Sequence, residues 1–281
     1  MNVFLNYSNR KFAMQRRFGA FCAKQFGKFD RIISLDPGCI DGEFAARNRH
    51  ILSAKRGGGY WLWKPYVILQ QLRLLEAGDL LVYCDAGSFF TGPVPRILAA
   101  MEPIKQDICS FELPYSEKQF TNRATLDALA PGNLAIAESN QVMGGFHFIR
   151  KSSFTLHYYE TFLRHACDEN LITDRGTRPG QEDQVFLEHR HDQSIHSVLY
   201  KLNGLKPVGD ATQWGGPIAH HLARLPATLE PGTPFTKTNG QIHRDNPATA
   251  KMPEVLFNNR RQNPILAYGW YRAKRALLAP R

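Results

Sequence analysis

The sequence predicts an α/β fold with a mixed, mostly parallel sheet flanked by helices. Along the 281 residues, short apolar runs of strand length alternate with longer segments in which apolar residues recur at helical spacing. The run 80–84, LLVYC, is apolar throughout, as expected for a parallel strand that is covered on both faces. Because strands that alternate with helices pair through right-handed crossovers, these observations favour a parallel sheet.

Each predicted element has its own signal in the sequence. Ser8 or Asn9 can cap the first helix, and Gly27 ends it. Pro65 suits the first turn of a later helix, which Gly78 ends. Strands are predicted at 3–5, 31–35, 80–84, 107–111 and 146–149, and helices at 12–26, 65–77, 154–166 and 184–202.

The domain organisation and the compartment follow from composition along the chain. Periodicity fades from about Gly204, so we expect one domain over residues 1–215 and a tail, residues 216–281, that wraps this domain. No apolar run approaches the ~20 residues that span a bilayer, and residues 1–12 lack the apolar core of a signal peptide. The five cysteines form no CxxC pair and are odd in number, which favours reduced thiols in a cytoplasmic protein.

The charge of the chain favours an anionic partner. Lys and Arg number 35 against 25 Asp and Glu, for a net charge of +10. Nucleic acids, phosphorylated small molecules and acidic lipid head groups all fit that balance. No helix-turn-helix, zinc-finger or RNP-like pattern accompanies the charge, so a nucleic-acid-binding module is disfavoured. The ordinary composition also excludes disordered, collagen-like and disulfide-scaffold chains.

The strongest local signal is the segment 80–88, LLVYCDAGS. An apolar strand ends abruptly at Asp85, and the small residues Ala86 and Gly87 follow. Ligands of open α/β sheets bind at the carboxyl ends of strands, where a carboxylate can reach a metal ion or a ribose hydroxyl. Asp85 can equally start a turn or cap a helix, and the segment alone leaves both interpretations open.

The segment 57–65, GGGYWLWKP, is a second candidate. Its glycines allow close backbone approach, its aromatic rings suit stacking on a sugar or a base, and Lys64 suits a phosphate. We expect one of Trp61 and Trp63 to be a core anchor. No GK[ST] sequence follows the glycines, so a P-loop hydrolase is disfavoured.

Later segments offer weaker candidates. Gly144 and Gly145 enter a predicted strand and permit close approach of a ligand, although a tight turn explains them as well. Asp192 can be a helix N-cap or a site carboxylate, and Glu182 and Asp183 are its rivals. We interpret the HxH of residues 189–191 mainly as a polar face, and we favour His220-His221 as later metal candidates. No GxSxG elbow supports a serine hydrolase.

Five segments together resemble, in matching order over residues 3–215, the nucleotide-sugar glycosyltransferases of bacterial surface-polysaccharide clusters, which build lipopolysaccharide or capsule. The resemblance implies a GT-A fold, which is Rossmann-like, and extends more remotely to glycogenin-like retaining transferases. The segments are GGGYWLWKPYVIL, GDLLVYCDAGS, FELPYSEKQFTNRATLDAL, VMGGFHFIRKS and HRHDQSIHSVL.

The resemblance implies roles at the matched positions. Asp192 and Gln193 would be the catalytic pair near the anomeric carbon, and Asp85 would be the first Asp of a DxD motif that binds Mn²⁺ or Mg²⁺. Gly87 stands where the second carboxylate would be, so a late histidine such as His221 would have to complete the metal site. The residues implied to bind the donor are Tyr7 at the nucleobase, Lys64 at the diphosphate, and Tyr60, Trp61, Asp85, Ala86, Gly87, Gly144 and Gly145.

The sequence therefore predicts an enzyme that moves a sugar from a nucleotide-diphosphate donor, with UDP expected, to a saccharide or lipid-linked glycan acceptor. The alternative is a non-catalytic protein that binds a saccharide or a nucleotide. Residues 264–281 mix aromatic and aliphatic residues with cations. That tail can lie at an anionic membrane surface, as in a peripheral membrane protein, or form a helix docked on the domain, and the sequence favours neither.

Overall fold

The computed structural model describes residues 1–215, 235–236, 242–243, 246, 249–259 and 263–278. The strands are β1 (Asn2–Tyr7), β2 (Arg31–Leu35), β3 (Leu80–Cys84), β4 (Ser88–Phe90), β5 (Ile108–Cys109), β6 (Glu112–Ser116), β7 (Asn140–Val142), β8 (Phe146–Arg150), β9 (Phe235–Thr236), β10 (Ile242–His243) and β11 (Leu256–Asn258). The helices are α1 (Ala13–Cys22), α2 (Gly42–Arg47), α3 (Arg49–Leu52), α4 (Gly57–Tyr60), α5 (Trp63–Arg73), α6 (Val94–Met101), α7 (Glu117–Phe120), α8 (Arg123–Leu129), α9 (Leu134–Glu138), α10 (Ser153–Ala166), α11 (Glu169–Ile172), α12 (Asp192–Leu202) and α13 (Pro264–Leu278).

The central sheet has five strands in the order β2-β1-β3-β8-β5. Strand β1 runs parallel to β2 and β3, whereas β8 runs antiparallel to both β3 and β5. Four of the five strands therefore share one direction, which confirms the predicted mixed, mostly parallel sheet. Because β8 runs the other way, its first residue, Phe146, pairs with Cys84 at the carboxyl end of β3. The ends of β1 and β3 and the start of β8 thus meet at one edge.

Apolar residues on both faces of the sheet form the core. Alternation along β3 sends Leu81 and Tyr83 to one face and Val82 and Cys84 to the other. Helices α5, α10 and α12 cover the first face, and α6 packs on the second. All five residues of β3 are buried, as the continuous apolar run predicts for a strand covered on both sides.

Several predicted boundaries are wrong for identifiable reasons. The helix predicted at 184–202 begins only at Asp192, because His191 has φ 54° and ψ −119° and cannot continue a right-handed helix backwards. The strand predicted at 107–111 is limited to β5, and Phe111 instead forms an isolated bridge to Val208. Helix α5 begins at Trp63, so Pro65 is its third residue. The other predicted strands, and the helix at 154–166, lie close to their predicted positions.

A second ribbon lies beside the sheet. Strands β4 and β11 pair antiparallel, with Phe257 opposite Phe89 and Leu256 opposite Phe90. Phe90 and Leu256 face the core, whereas Phe89 and Phe257 face outward and are covered by α1 and α13. Among the described residues, no helix is both long and apolar enough to cross a bilayer.

The turn before α5 is left-handed. Gly57, Gly58, Gly59, Tyr60 and Trp61 all have positive φ, between 50° and 97°. Such a run is open to glycine and strained for other residues, which is why three glycines begin it. A Cβ on Gly59 would lie 2.7 Å from the Cα of Leu52, so this turn also packs against the backbone of α3. The turn fixes the direction in which α5 leaves.

We expect Gly59→Ala to destabilise the protein more than Gly78→Ala does. Both glycines have positive φ, 97° and 88°, but a Cβ at Gly78 meets nothing within 4 Å. Gly78→Ala, the control, therefore loses only the free energy of placing alanine at positive φ, about 1–2 kcal/mol. Gly59→Ala adds a clash with the backbone of Leu52. Urea unfolding measures both free energies. Equal losses would show that the contact with Leu52 is unimportant.

Candidate active site

The edge where β1, β3 and β8 meet gathers residues that are far apart in sequence. Lys64 comes from the first turn of α5, Asp85 follows β3, Gly144 and Gly145 precede β8, and Asp192 begins α12. The backbone N–H of Asp85 donates to the carbonyl of Gly145 at 2.9 Å, which extends the β3–β8 pairing to the edge. The predicted site residues of these four segments are therefore neighbours.

Lys64 is the centre of this cluster. Its Nζ lies 2.6 Å from Oδ2 of Asp192 and 3.3 Å from Oδ1 of Asp85, and it donates to the carbonyl of Gly144 at 2.7 Å. The exposed fraction of its side chain is only 3%. A buried ammonium group is stable only when its charge is compensated and its protons are bound, and these oxygens meet both conditions.

Asp85 is held by a second donor. The hydroxyl of Tyr83 donates to Oδ1 of Asp85 at 2.7 Å, the same oxygen that faces Lys64. Tyr83 lies two residues earlier, and strand pairing continues to Asp85 through its N–H bond to Gly145, so alternation directs both side chains to one face. Tyr83 is buried, and burial together with Asp85 raises the pKa of its phenol, which remains a donor.

Asp192 is the more deeply buried of the two carboxylates. Burial raises the pKa of its carboxyl to about 6, against the opposing effect of Lys64, while Asp85 adds to the rise. Asp192 is the first residue of α12, where the positive end of the helix dipole favours a negative side chain. The N-cap is His191, without a side-chain capping bond, so the interpretation of Asp192 as an N-cap is wrong.

Gln193 packs directly on the Gly144 backbone. Its Oε1 accepts from the Gly144 N–H at 3.1 Å, and its Nε2 donates to Oε1 of Gln141 at 2.7 Å. A Cβ on Gly144 would lie 3.0 Å from Cβ of Gln193 and 3.1 Å from its Cα. Glycine at this position therefore permits the close approach of α12 to the sheet edge.

His147 fixes the carbonyl that Lys64 uses. Its Nε2 lies 3.2 Å from the carbonyl of Gly144, and its Nδ1 lies 2.7 Å from the hydroxyl of Tyr159. Burial, reinforced by Lys64, lowers the pKa of His147 to about 3, so the ring is neutral. A carbonyl can only accept, so the proton is assigned to Nε2, and Nδ1 accepts from Tyr159.

Aromatic rings line one side of the cluster. Trp63 is buried and stacks on Tyr7 with ring centroids 4.0 Å apart, so the expectation that one of the two tryptophans anchors the core is met by Trp63. Tyr7, predicted to face a nucleobase, is thus itself buried against Trp63. Trp61 and Tyr60 are partly exposed and both contact the ring of His191, at 5.6 and 4.9 Å.

The interpretation of the HxH segment as a polar face is wrong. His189 and His191 are both buried, and each contacts a backbone carbonyl of α11, Leu171 at 2.7 Å and Ile172 at 2.9 Å. Burial lowers the pKa of both imidazoles, to about 3 and about 4. The positive φ of His191, held by these contacts, sets the direction of the next residue, Asp192.

The rival carboxylates serve the loop before α12. Glu182 accepts from the backbone N–H groups of Arg123 at 2.7 Å and Arg178 at 2.8 Å. Asp183 accepts from the N–H of Val185 at 3.0 Å. These bonds explain both side chains as turn-forming groups, and the ion pair with Lys64 belongs to Asp192.

The segment that follows β3 offers a metal ion one carboxylate, that of Asp85. Ala86 and Gly87 follow Asp85 in the turn to β4 and carry no ligand atoms in their side chains. Among the described residues, no group of three His, Cys, Asp or Glu lies close enough to hold a metal ion. His221, predicted as a ligand, lies outside the described residues, as does His220.

Sequence analysis missed several groups on which the cluster depends. The positions of Tyr83 and Asp85, two residues apart in one strand, are a usable signal for their bond. Gln141, His147 and Tyr159 carry no comparable signal, because only the pairing of β8 and the packing of α10 and α12 bring them to Gly144. The positive φ of His191 has none either.

The chain is similar in structure to solved glycosyltransferases. The galactosyltransferase LgtC, solved with donor and acceptor sugar analogues, aligns over 100% of this chain and 97% of its own, with TM-score 0.45 and 13% identity. An active-site mutant of LgtC aligns over 93% and 88%, with TM-score 0.46 and 12% identity. Mouse xyloside xylosyltransferase 1, in its apo form, aligns over 92% and 85%, with TM-score 0.42 and 10% identity. No family model and no curated protein matches the sequence.

We expect Lys64→Met to destabilise the protein by about 3–5 kcal/mol at pH 7.5, because it leaves Asp192 buried beside a second carboxylate. At pH 5, below the raised pKa of Asp192, protonation relieves the repulsion and the loss is smaller. The double variant with Asp192→Asn recovers part of the stability. Urea unfolding of the wild type, Lys64→Met, Asp192→Asn and the double variant gives the coupling energy between the two residues. Strictly additive losses of stability would contradict a direct ion pair.

Proposed function

We propose that this protein is a glycosyltransferase that moves a sugar from a nucleotide-diphosphate donor, a UDP-sugar, to a saccharide or lipid-linked glycan acceptor. The observation that carries the proposal is the buried ion pair of Lys64 with Asp85 and Asp192 at the carboxyl end of β3. Ligands of open α/β sheets bind at this end. A cluster of buried charged groups that includes a carboxyl of raised pKa is typical of a catalytic site.

The charges of the cluster suit transfer from an anomeric carbon. With both carboxylates ionised, two negative charges face one lysine, so the cluster carries a net negative charge. The transition state of glycosyl transfer resembles an oxocarbenium ion, and a nearby carboxylate stabilises its positive charge. Asp192 is the group proposed for this role, and the resemblance points to the same residue. Gln193, fixed by Gly144 and Gln141, holds the first turn of α12 in place.

We infer that the donor lies against the small residues of this edge. Gly144 and Gly145 are buried next to Asp192, and Gln193 fills the space that a side chain at Gly144 would need. We assign these two residues to the donor sugar. Ala86 and Gly87 are partly exposed beside Asp85, which suits the close approach of the diphosphate and ribose. Partly exposed Tyr60 and Trp61 offer ring faces at the side of the cluster. Tyr7 stacks on Trp63, and we assign it to the end of the site where the nucleobase of the donor lies.

A divalent cation, Mn²⁺ or Mg²⁺, is part of the proposal. Mg²⁺ is commonly held by one or two carboxylates together with substrate phosphates and water, and Asp85 supplies one carboxylate at the strand end. His221 is the proposed second ligand from the sequence. When bound, the cation neutralises charge on the diphosphate leaving group. Lys64 supplies a positive charge of the protein itself at the same place.

We expect UDP or a UDP-sugar to raise the melting temperature of the wild-type protein, and a screen of nucleotide sugars to detect slow hydrolysis of one donor. Asp85→Asn should keep the fold, because Tyr83 can still donate to the amide oxygen, and should lose hydrolysis. Donor binding without hydrolysis or transfer would favour the alternative, a non-catalytic nucleotide-binding or saccharide-binding protein. Wild-type turnover in folded Asp85→Asn would contradict the assignment of Asp85.

Turnover should depend on the ionisation of Asp192. Its carboxyl pKa is raised to about 6, so the carboxylate is formed above that pH and lost below it. Activity should therefore fall as the pH decreases through about 6. Asp192→Asn should lack this acid limb and lose at least ~100-fold in kcat, the scale of removing one electrostatic catalytic group.

The matched control is Asp183→Asn, in which asparagine can keep the turn bond to Val185. It should retain both turnover and the acid limb. An Asp192→Asn enzyme with normal kcat, or an Asp183→Asn enzyme that loses it, would transfer the catalytic role to the loop before α12.

A further inference from the structure

Helices α1 and α13 both pack on the outer face of the β4–β11 ribbon. The ring of Phe18, from α1, and that of Tyr268, from α13, both pack edge-on against Phe89, at 4.9 and 5.5 Å. Phe257, opposite Phe89 in the ribbon, contacts Tyr268 and Tyr271. Both helices thus turn one side to the same aromatic pair, so their outer sides face the same solvent.

The outer side of α13 is apolar. Ala267 and Tyr271 are buried against the ribbon, whereas Leu266, Trp270 and Leu277 are 72%, 63% and 85% exposed. The exposed residues are spaced by four and seven positions, so they lie along one side of the helix, away from the docked side. This helix is therefore apolar on an exposed side as well as on its docked side, which docking on the domain alone does not require.

The outer side of α1 adds apolar and cationic groups. Phe21 is 55% exposed. Arg17, on α1, and Lys24, in the π-helical turn Ala23–Gly27 that continues α1, are exposed about one turn on either side of it. No Asp or Glu occurs between residues 9 and 29, a stretch with six Lys or Arg. On α13, Arg272 is exposed, and residues 264–278 also contain no acidic residue. The outer side of α13 is thus apolar, that of α1 is apolar and positively charged, and neither helix contains an acidic residue.

We propose that α1 and α13 together form a surface that binds an anionic lipid bilayer, called here the α1–α13 surface and marked by Arg17, Phe21, Lys24, Leu266, Trp270 and Leu277. Exposed aromatic and leucine side chains enter the head-group region, and flanking Lys and Arg pair with acidic lipid, as in interfacial helices. From the sequence alone, only the tail, residues 264–281, is a candidate for membrane binding. The structure adds α1 as the cationic half of the surface.

Charge decides the occupant. A second copy of this chain would bring the same cations face to face across a symmetric interface, which costs free energy. A bilayer that contains acidic lipid offers both an apolar layer for the leucines and negative charge for the cations. The α1–α13 surface therefore fits a membrane better than it fits itself.

The surface is close to the candidate active site. The carbonyl of Gly87, two residues from Asp85, accepts from the N–H of Asn259 at 2.8 Å, at the end of β11. A Cβ on Gly19 of α1 would lie 3.1 Å from the carbonyl of Ser88. The ribbon that carries both helices thus begins at Ser88, three residues after Asp85. If the proposed function holds, this favours the lipid-linked class of acceptor over a soluble saccharide.

The test measures binding of the full chain to vesicles by flotation, and it uses no sugar donor, so its result is independent of the proposed function. We expect binding to vesicles of phosphatidylcholine mixed equally with phosphatidylglycerol, and little binding to phosphatidylcholine alone. Rising salt should weaken the binding. Leu266→Ser and Phe21→Ser should each weaken it about tenfold, since each removes one large apolar side chain from the interface.

Matched control variants test whether binding depends on the α1–α13 surface itself and not simply on any exposed apolar or cationic residue. Leu134 on α9 is 75% exposed, and Leu134→Ser should leave binding unchanged. Arg17→Gln with Lys24→Gln should weaken binding and its salt dependence, whereas Arg178→Gln with Lys206→Gln, at exposed positions elsewhere, should not. Donor hydrolysis in solution should be the same in all of these variants.

Three outcomes would overturn the proposal. The first is that the protein does not bind the acidic vesicles. The second is that Leu266→Ser and Leu134→Ser weaken binding equally. The third is that the protein forms a dimer in analytical ultracentrifugation and that Leu266→Ser dissociates it. The last would assign the surface to a second copy of the chain. Loss of binding in Leu266→Ser but not in Phe21→Ser would return the role to the tail alone and remove α1 from the surface.

Discussion

The contact of Lys64 with Asp85 and Asp192 is the constraint that the rest of the site depends on. Its three oxygens come from the end of β3, the turn before β8 and the first residue of α12. Loss of one of these oxygens would leave a proton of the buried ammonium without its partner or weaken the ion pair, so the elements are held in one arrangement. The left-handed turn before α5 and the positive φ of His191 are strained conformations that this arrangement retains.

Around the ion pair, backbone groups make several of the hydrogen bonds that hold the side chains. The carbonyl of Gly144 binds Lys64 and His147, and its N–H binds Gln193. A side chain at Gly144 would push α12 away from the sheet edge, and one at Gly59 would collide with α3. Glycines at these positions allow charged groups from separate elements to meet over short distances.

The outer ribbon connects this interior to the surface of the molecule. Phe90 and Leu256 belong to the core, whereas their neighbours Phe89 and Phe257 hold α1 and α13 on the outside. Strand alternation thus lets three-residue strands face two environments. Only two residues separate Asp85 from strand β4, so one short segment of chain connects the candidate site to the strand on which the outer helices pack.

The sequence by itself determined the α/β class, the main strands of the sheet and the neighbourhood of Asp85, since apolar runs, glycines and strand ends are local signals. It also singled out Lys64, Gly144 and Asp192, although their catalytic and donor-binding roles stay predictions. Only the tertiary structure decided that Lys64 bridges two carboxylates, that Tyr7 is buried beneath Trp63, and that His191 is a buried residue ahead of α12. The reason is physical. These contacts join residues up to 128 positions apart, from Lys64 to Asp192, and they depend on strand register and helix packing, which local periodicity does not encode.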